Sequence, residues 1–172
     1  MASELTVQTI KGPSSGGNAN KILIPAGQEL HAPGHVIQVV NNQSNSGSIS
    51  TTSGQYISTP YTATITPKFS SSKIYVDLSF SVLLRGGGSG AALGFSLKRG
   101  STRITSSVNN PHEMFFGDAT LMANRQHYAY LDSPNTTSST TYSLEAYPRY
   151  SQTTEFDSRN STWSMTLWEI AQ

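Results

Sequence analysis

The stretch 73–84 puts Ile74, Val76, Leu78, Phe80 and Val82 on alternate positions, with Tyr75, Asp77, Ser79 and Ser81 between them. Side chains repeat every second residue along a strand and every 3.6 residues along a helix, so this run buries one face only as a strand. Five apolar groups on one side mark a half-buried strand near the middle of a sheet. No segment of useful length carries the helical period. Shorter alternations recur instead. Residues 36–40 (Val-Ile-Gln-Val-Val) are apolar and β-branched. Over 56–66, Tyr61, Ala63 and Ile65 oppose Thr62, Thr64 and Thr66, and Pro60 limits the start of that strand to an edge or a bend. Leu93, Phe95 and Leu97 share a face before a turn at Arg99-Gly100, with Ile104 opening the return strand of a hairpin. Residues 127–131 and 140–147 read as strands, the second aligning Tyr142, Leu144 and Ala146. In 162–170, Trp163, Met165 and Leu167 face one way and Trp168 and Ile170 the other, the pattern of a strand that is central or covered by a partner. The stretch 111–125, with His112, Glu113, Phe115 and Phe116, keeps no period and reads as a long loop. Seven or eight short strands joined by Ser, Gly, Pro and Asn predict an all-β chain, an antiparallel sandwich or barrel.

Composition sets what coats those sheets. Charged residues are 12% of 172, with 11 Lys and Arg against 10 Asp and Glu for a net charge of +1. Soluble domains average about 25%. Ser (27) and Thr (19) together outnumber them. A hydroxyl coat repels a neighbour weakly, whereas soluble monomers rely on charge to stay apart. The composition suits a subunit that packs against copies of itself, and equally an ordinary monomeric β-protein. A balance of +1 without a basic cluster argues against nucleic acid as a partner. The absence of Cys removes disulfides, thiolate metal sites and thiol nucleophiles. No apolar run approaches the ~18–20 residues that span a membrane, and the first ten residues lack a signal-peptide pattern, so no membrane insertion is expected.

Residues 1–34 differ from residues 35–172, which hold the alternating strands. Residues 11–18 are turn-rich, Ile22-Leu23-Ile24 is stopped by Pro25-Ala26-Gly27, and His31-Ala32-Pro33-Gly34 ends the next piece. Such fragments form no core alone. They are either a frayed terminus or an extended arm that winds with, or lies on, neighbouring subunits.

Four features of the sequence bear on chemistry. Gly86-Gly87-Gly88-Ser89-Gly90 lacks the Gly-Lys-Ser/Thr ending of a phosphate loop and reads as a hairpin loop. His31, His35, His112 and His127 are scattered, and His112-Glu113 lacks a second zinc-binding His; His31 and His35 are the pair to inspect for an ion. Asp77, Glu113, Asp118, Asp132, Glu145, Glu155 and Asp157 could in principle supply a glycosidase pair, but carboxylates on strand surfaces are usually solvated or paired. Tyr128, Tyr130, Tyr142, Tyr147, Tyr150 and Phe156, with Arg149 and Arg159, suit either a recognition surface or a core and subunit seam. No catalytic, metal or cofactor residue is assigned, and no enzymatic activity is expected. The runs 67–75 and 134–142 echo each other as Pro, a hydroxyl-rich turn, a Ser-Ser pair and a Tyr-bearing strand, too briefly to mark a duplication.

Several motifs resemble a family of small virion proteins of tailed phages, of the cyanophage and other aquatic phage type. They are Thr64-Ile65-Thr66-Pro67 with Ser71-Ser72-Lys73-Ile74, Leu131-Asp132-Ser133-Pro134 through Ser138, and Tyr142-Ser143-Leu144. The ending Met165-Thr166-Leu167-Trp168-Glu169-Ile170 and the opening Leu5–Ile10 with Ile22–Gly27 belong to the same likeness. The resemblance implies a homotrimeric jelly-roll or tumour-necrosis-factor-like knob on the virion, in a tail fibre or appendage that touches a host-surface glycan. Its N-terminal arm would contact other virion proteins. A capsid decoration protein is the second reading, and a carbohydrate-binding or depolymerase module the third. Residues 82–92 and 106–124 depart from the pattern, so no recognition residues carry over.

Overall fold

A computed structural model describes residues 7–30, 32–45, 49–51, 54–85, 91–105, 112–116, 122–148, 153–156 and 161–172. Its described elements are all strands: β1 (Val36–Ser44), β2 (Ile49–Thr51), β3 (Ile57–Ile65), β4 (Lys73–Arg85), β5 (Ala91–Arg99), β6 (Thr102–Arg103), β7 (His112–Phe116), β8 (Met122–Asp132), β9 (Thr140–Pro148), β10 (Thr153–Phe156) and β11 (Trp163–Ile170). No helix is long and apolar enough to cross a membrane.

Eight strands build two antiparallel sheets, ordered β1-β11-β4-β8 and β3-β9-β5-β7. The chain passes back and forth between the sheets, and this order is that of a jelly roll. The short strands fill corners. β10 pairs with the end of β4 at Val82–Arg85, beyond where β11 has stopped, and β2 pairs with β10. β6 turns back on β5 through Gly100, whose φ of +57° suits glycine.

The alternation of β4 becomes burial directly: Ile74, Val76, Leu78, Phe80 and Val82 are all at the core. They meet Trp163, Met165 and Leu167 from β11 and, across the sandwich, Tyr61, Ala63 and Ile65 of β3, Leu93, Phe95 and Leu97 of β5, and Tyr142, Leu144 and Ala146 of β9. Aromatic rings bridge the sheets. Phe80 lies 5.0 Å from both Tyr61 and Phe95, and Tyr61 lies 5.3 Å from Trp163. β11 sits between β1 and β4, as a strand with apolar residues on both faces requires.

Pro60 behaves as its chemistry demands. β3 is an edge strand, and its pairing with β9 shifts register between Ser58 and Thr62. There the Thr59 hydroxyl donates to the Leu144 carbonyl at 2.6 Å, a side-chain substitute for a ladder bond.

Two expectations are corrected. Within 111–125, β7 and the first residues of β8 replace the expected long loop, because pairing with β5 and β4 imposes a conformation that the local pattern does not encode. The glycine run 86–90 lies outside the described residues, but β4 and β5 on either side belong to different sheets. That connection therefore links the sheets rather than closing a hairpin.

The chain divides into two units, Met1–His31 and Ala32–Gln172. In the second, the Gly34 amide donates to the Ala171 carbonyl and the Ala171 amide to the His35 carbonyl, extending the β1–β11 pairing by a rung. The first unit is not simply extended. Its chain pinches where Gly12 meets Lys21 so closely that a Cβ on Gly12 would fall 2.3 Å from the Lys21 carbonyl oxygen. The Asn20 amide donates to the Pro13 carbonyl at 2.8 Å inside that loop. Val7, Ile10, Ile22, Leu23, Ile24 and Leu30 remain exposed.

Candidate functional site: the outer face of the first sheet

The described charged groups that sequence reading could have paired into a catalytic site act instead as clasps. Asp132, at the end of β8 in the first sheet, accepts bonds from Arg99 Nη1 at 3.0 and 2.9 Å and from the Tyr142 hydroxyl at 2.7 Å. Arg99 and Tyr142 belong to the second sheet, so one carboxylate ties both sheets together. Burial first, then the bond to Asp132 and its charge, push the Tyr142 hydroxyl well above its ordinary pKa. Glu145 takes Arg103 at 2.6 Å and Lys98 at 3.2 Å on the outside of the second sheet. Arg103 also lies over the Tyr56 ring at 4.0 Å, and Tyr56 packs on Tyr147 at 5.0 Å. Asp77 pairs with His127 at 2.7 Å on the open surface.

Sequence reading missed Glu169. It is fully buried at the inner end of β11 and accepts Gln38 Nε2 at 2.6 Å, the Lys68 amide at 2.8 Å and the Phe69 amide at 3.2 Å. Gln38 Nε2 also reaches the Thr66 carbonyl at 2.7 Å. Its signal in the sequence was a charged residue in phase with Trp163, Met165 and Leu167. The motifs behind the family resemblance thus meet in pairs: the ending at Glu169 clasps the turn after Thr64–Pro67, and Asp132 clasps Tyr142. These are structural joints.

Other singled-out residues fall elsewhere. Tyr142 is in the core, and Tyr128 and Tyr130 are half-buried against it. Burial raises the pKa of Tyr128, partly offset by a hydrogen bond with Thr105. The side chains of His112, Glu113, Glu155 and Phe156 lie outside the described residues, as do His31, Asp118, Arg149, Tyr150, Asp157 and Arg159 altogether. His35 precedes β1, and His127 lies near the other end of the sheet on its far edge. Among the described residues no three His, Asp or Glu side chains gather as metal ligands. The echoed runs place Tyr75 on an outer face and Tyr142 on an inner one, so they share turn chemistry rather than a repeated fold.

What remains open is the outer face of the first sheet. Register aligns its side chains in rows across β1, β11, β4 and β8. One row is Val39, Trp168, Tyr75 and Leu131, apolar or aromatic from edge to edge. Val39 is 49%, Leu131 47% and Trp168 37% exposed. Exposed Val36 and half-buried Ile170 extend the patch. The flanking rows are polar and charged: Lys73 stands opposite Ile170 and Asp77 opposite Thr166, Asp77 pairs with His127, Asn41 Nδ2 donates to Ser164 Oγ at 2.9 Å and Thr166 Oγ1 at 2.8 Å, and Arg125 Nε donates to Ser79 Oγ at 2.9 Å. Contiguous apolar surface framed by polar groups is the character of a contact surface.

No family model matches the chain, and no curated protein matches it. Among solved structures it is similar to the structure of infectious bursal disease virus Gx strain, at 10% identity and a TM-score of 0.44. That match covers 88% of this chain and 42% of the other. The jelly-roll assignment rests on strand order and stands apart from this likeness.

Proposed function

We propose that the chain is a non-enzymatic structural protein of a virus particle, a homotrimeric tail fibre or appendage whose sandwich forms an outward tip. Residues 1–34 serve as the arm that joins it to other virion proteins, and loops of the sandwich meet a host-surface glycan. The observation that carries the reading is the open apolar row of the first sheet, on a chain whose charge of +1 does little to hold copies apart. The pairing of Asp77, Asp132 and Glu145 with basic side chains supports a structural rather than a hydrolytic use of these carboxylates.

A second reading, a capsid decoration protein, draws on the exposed apolar residues of the first unit, which suit an arm laid across neighbouring capsomers. Band intensity against the major capsid protein in purified particles separates the two. A fibre gives a few to tens of copies clustered at the tail; hundreds of copies over the shell identify decoration, and absence from particles overturns both. Incubation with bacterial surface polysaccharides is expected to release no fragments, and one reproducible cleavage would overturn the non-enzymatic assignment.

A further inference from the structure

We propose that the recess between the Arg99-Gly100 turn and the loop 133–139 binds an acidic sugar, with Arg99 taking its carboxylate. The ligand class rests on the host-surface glycan of the functional reading above; the site and the acid group come from the geometry.

The recess, about 370 Å³, opens where β5, β8 and β9 turn at one end of the sandwich. Arg99, Thr136, Ser138, Ser139, Thr140 and Thr141 line it. Binding sites span about 300–1,000 Å³, so this one suits a single ring rather than a long chain. Such sites are mostly walled by apolar groups. Hydroxyls in their place select a ligand that is itself hydroxylated. Local bonds hold the walls. Buried Thr140 donates its hydroxyl to the Ser138 carbonyl at 2.9 Å, and Thr136 Oγ1 accepts the Ser138 amide at 3.0 Å. The Gly100 amide donates to the Thr141 carbonyl at 2.8 Å and keeps the turn against β9. The exposed Ser138 and Ser139 hydroxyls have no partner among the described residues.

Arg99 brings the charge. Asp132, which is buried, takes Arg99 Nη1 through both oxygens, and the Ser133 carbonyl accepts from the same nitrogen at 3.2 Å. One end of the guanidinium is thereby fixed. Its other edge, Nε–H and Nη2, meets no acceptor among the described residues. Two N–H groups side by side in a fixed plane match the two oxygens of a carboxylate. Asp132 balances one positive charge, so orientation more than net charge selects the ligand. The other buried carboxylates are engaged elsewhere: Glu145 with Lys98 and Arg103, Glu169 with Gln38 and two backbone amides. Lys73, one position before the Ile74 that faces Asp132, adds a positive charge at the same end of the sheet.

Saturation-transfer NMR of the full-length chain with glucuronate, glucose and inorganic phosphate tests the site. Glucuronate is expected to bind, and glucose and phosphate at least about tenfold more weakly, since each lacks one half of the match. Arg99→Lys keeps a charge beside Asp132 but loses the fork, and is expected to weaken glucuronate by about tenfold. Ser139→Trp, on the exposed loop, fills the recess away from the core and is expected to abolish binding with an unchanged thermal melt. Phosphate as tight as glucuronate overturns the sugar. Glucose as tight as glucuronate overturns the part given to Arg99. Glucuronate binding that survives Ser139→Trp, or no binding at all, overturns the site. Retention on an acidic bacterial polysaccharide is read separately. If parent and Ser139→Trp chains are retained equally, the glycan reading stands without this site; if neither is retained although glucuronate binds, the site stands and the glycan reading falls.

Discussion

Asp132 and Glu169 do different work with the same chemical group. Asp132 joins the sheets through Arg99 and the Tyr142 hydroxyl. Replacing Tyr142 by Phe removes one bond to a charged acceptor and is expected to cost about 1.5–3 kcal/mol, read from the urea midpoint. The same variant tests the alkaline limit. The Tyr142 pKa is raised in the fold above its ordinary value of 10.0, so the folded state keeps a proton that the unfolded chain gives up. Its contribution is intact below pH 10 and is lost as the pH rises above that value, by about 1.4 kcal/mol per pH unit for this one group. Midpoints measured from pH 8 to 11 are expected to fall more steeply for the parent chain than for Tyr142→Phe. Glu169→Ala removes the acceptor of two backbone amides and one Gln38 bond, and is expected to lower stability by about 1–3 kcal/mol in thermal melts. Glu169→Gln, which keeps a carbonyl acceptor, is expected to recover part of that loss. Neither clasp was legible in the sequence, because each joins groups on different strands, from Tyr142 ten positions past Asp132 to Gln38 at the far end of the chain from Glu169, that converge only after the sheets pack.

The strands tell a different story, since alternation is local and survives translation into structure. Leu78 and Thr166 make the contrast within one sheet: Leu78→Ala is expected to cost about 2–5 kcal/mol by opening the core, and Thr166→Ala, on the outer face, less than about 1 kcal/mol. Paired denaturation curves check both. Strands with a clean two-residue period, such as β4, β9 and β11, were readable from their own residues. Pro60 was read correctly as an edge or bend because a missing N–H is a local fact. β7 was not readable, because its existence comes from the β5 edge it pairs with. β2 and β10 are similar cases, short strands that extend the first sheet past the end of β11. The outer-face row was half visible: Trp168 and Ile170 stood out on their strand, but their alignment with Val39, Tyr75 and Leu131 is a property of register between strands.

At the scale of the whole molecule, a jelly roll closes its own core and leaves the question of what its outer faces meet. The second sheet answers with Glu145, Arg103, Lys98 and the tilted ring pair of Tyr56 and Tyr147. The first sheet answers with an apolar row flanked by hydroxyls and amides and by the charged groups Lys73, Asp77, Arg125 and His127. The low charge of the chain, readable from composition, and the apolar row of this face, readable only from the fold, are the two observations behind the proposed outcome, association among identical copies. Sedimentation velocity of the purified full-length chain at micromolar concentration tests that outcome most directly. The account predicts a single species of about 55 kDa, three times the chain mass of 18.5 kDa; a species of 18.5 kDa that persists as concentration rises would contradict it.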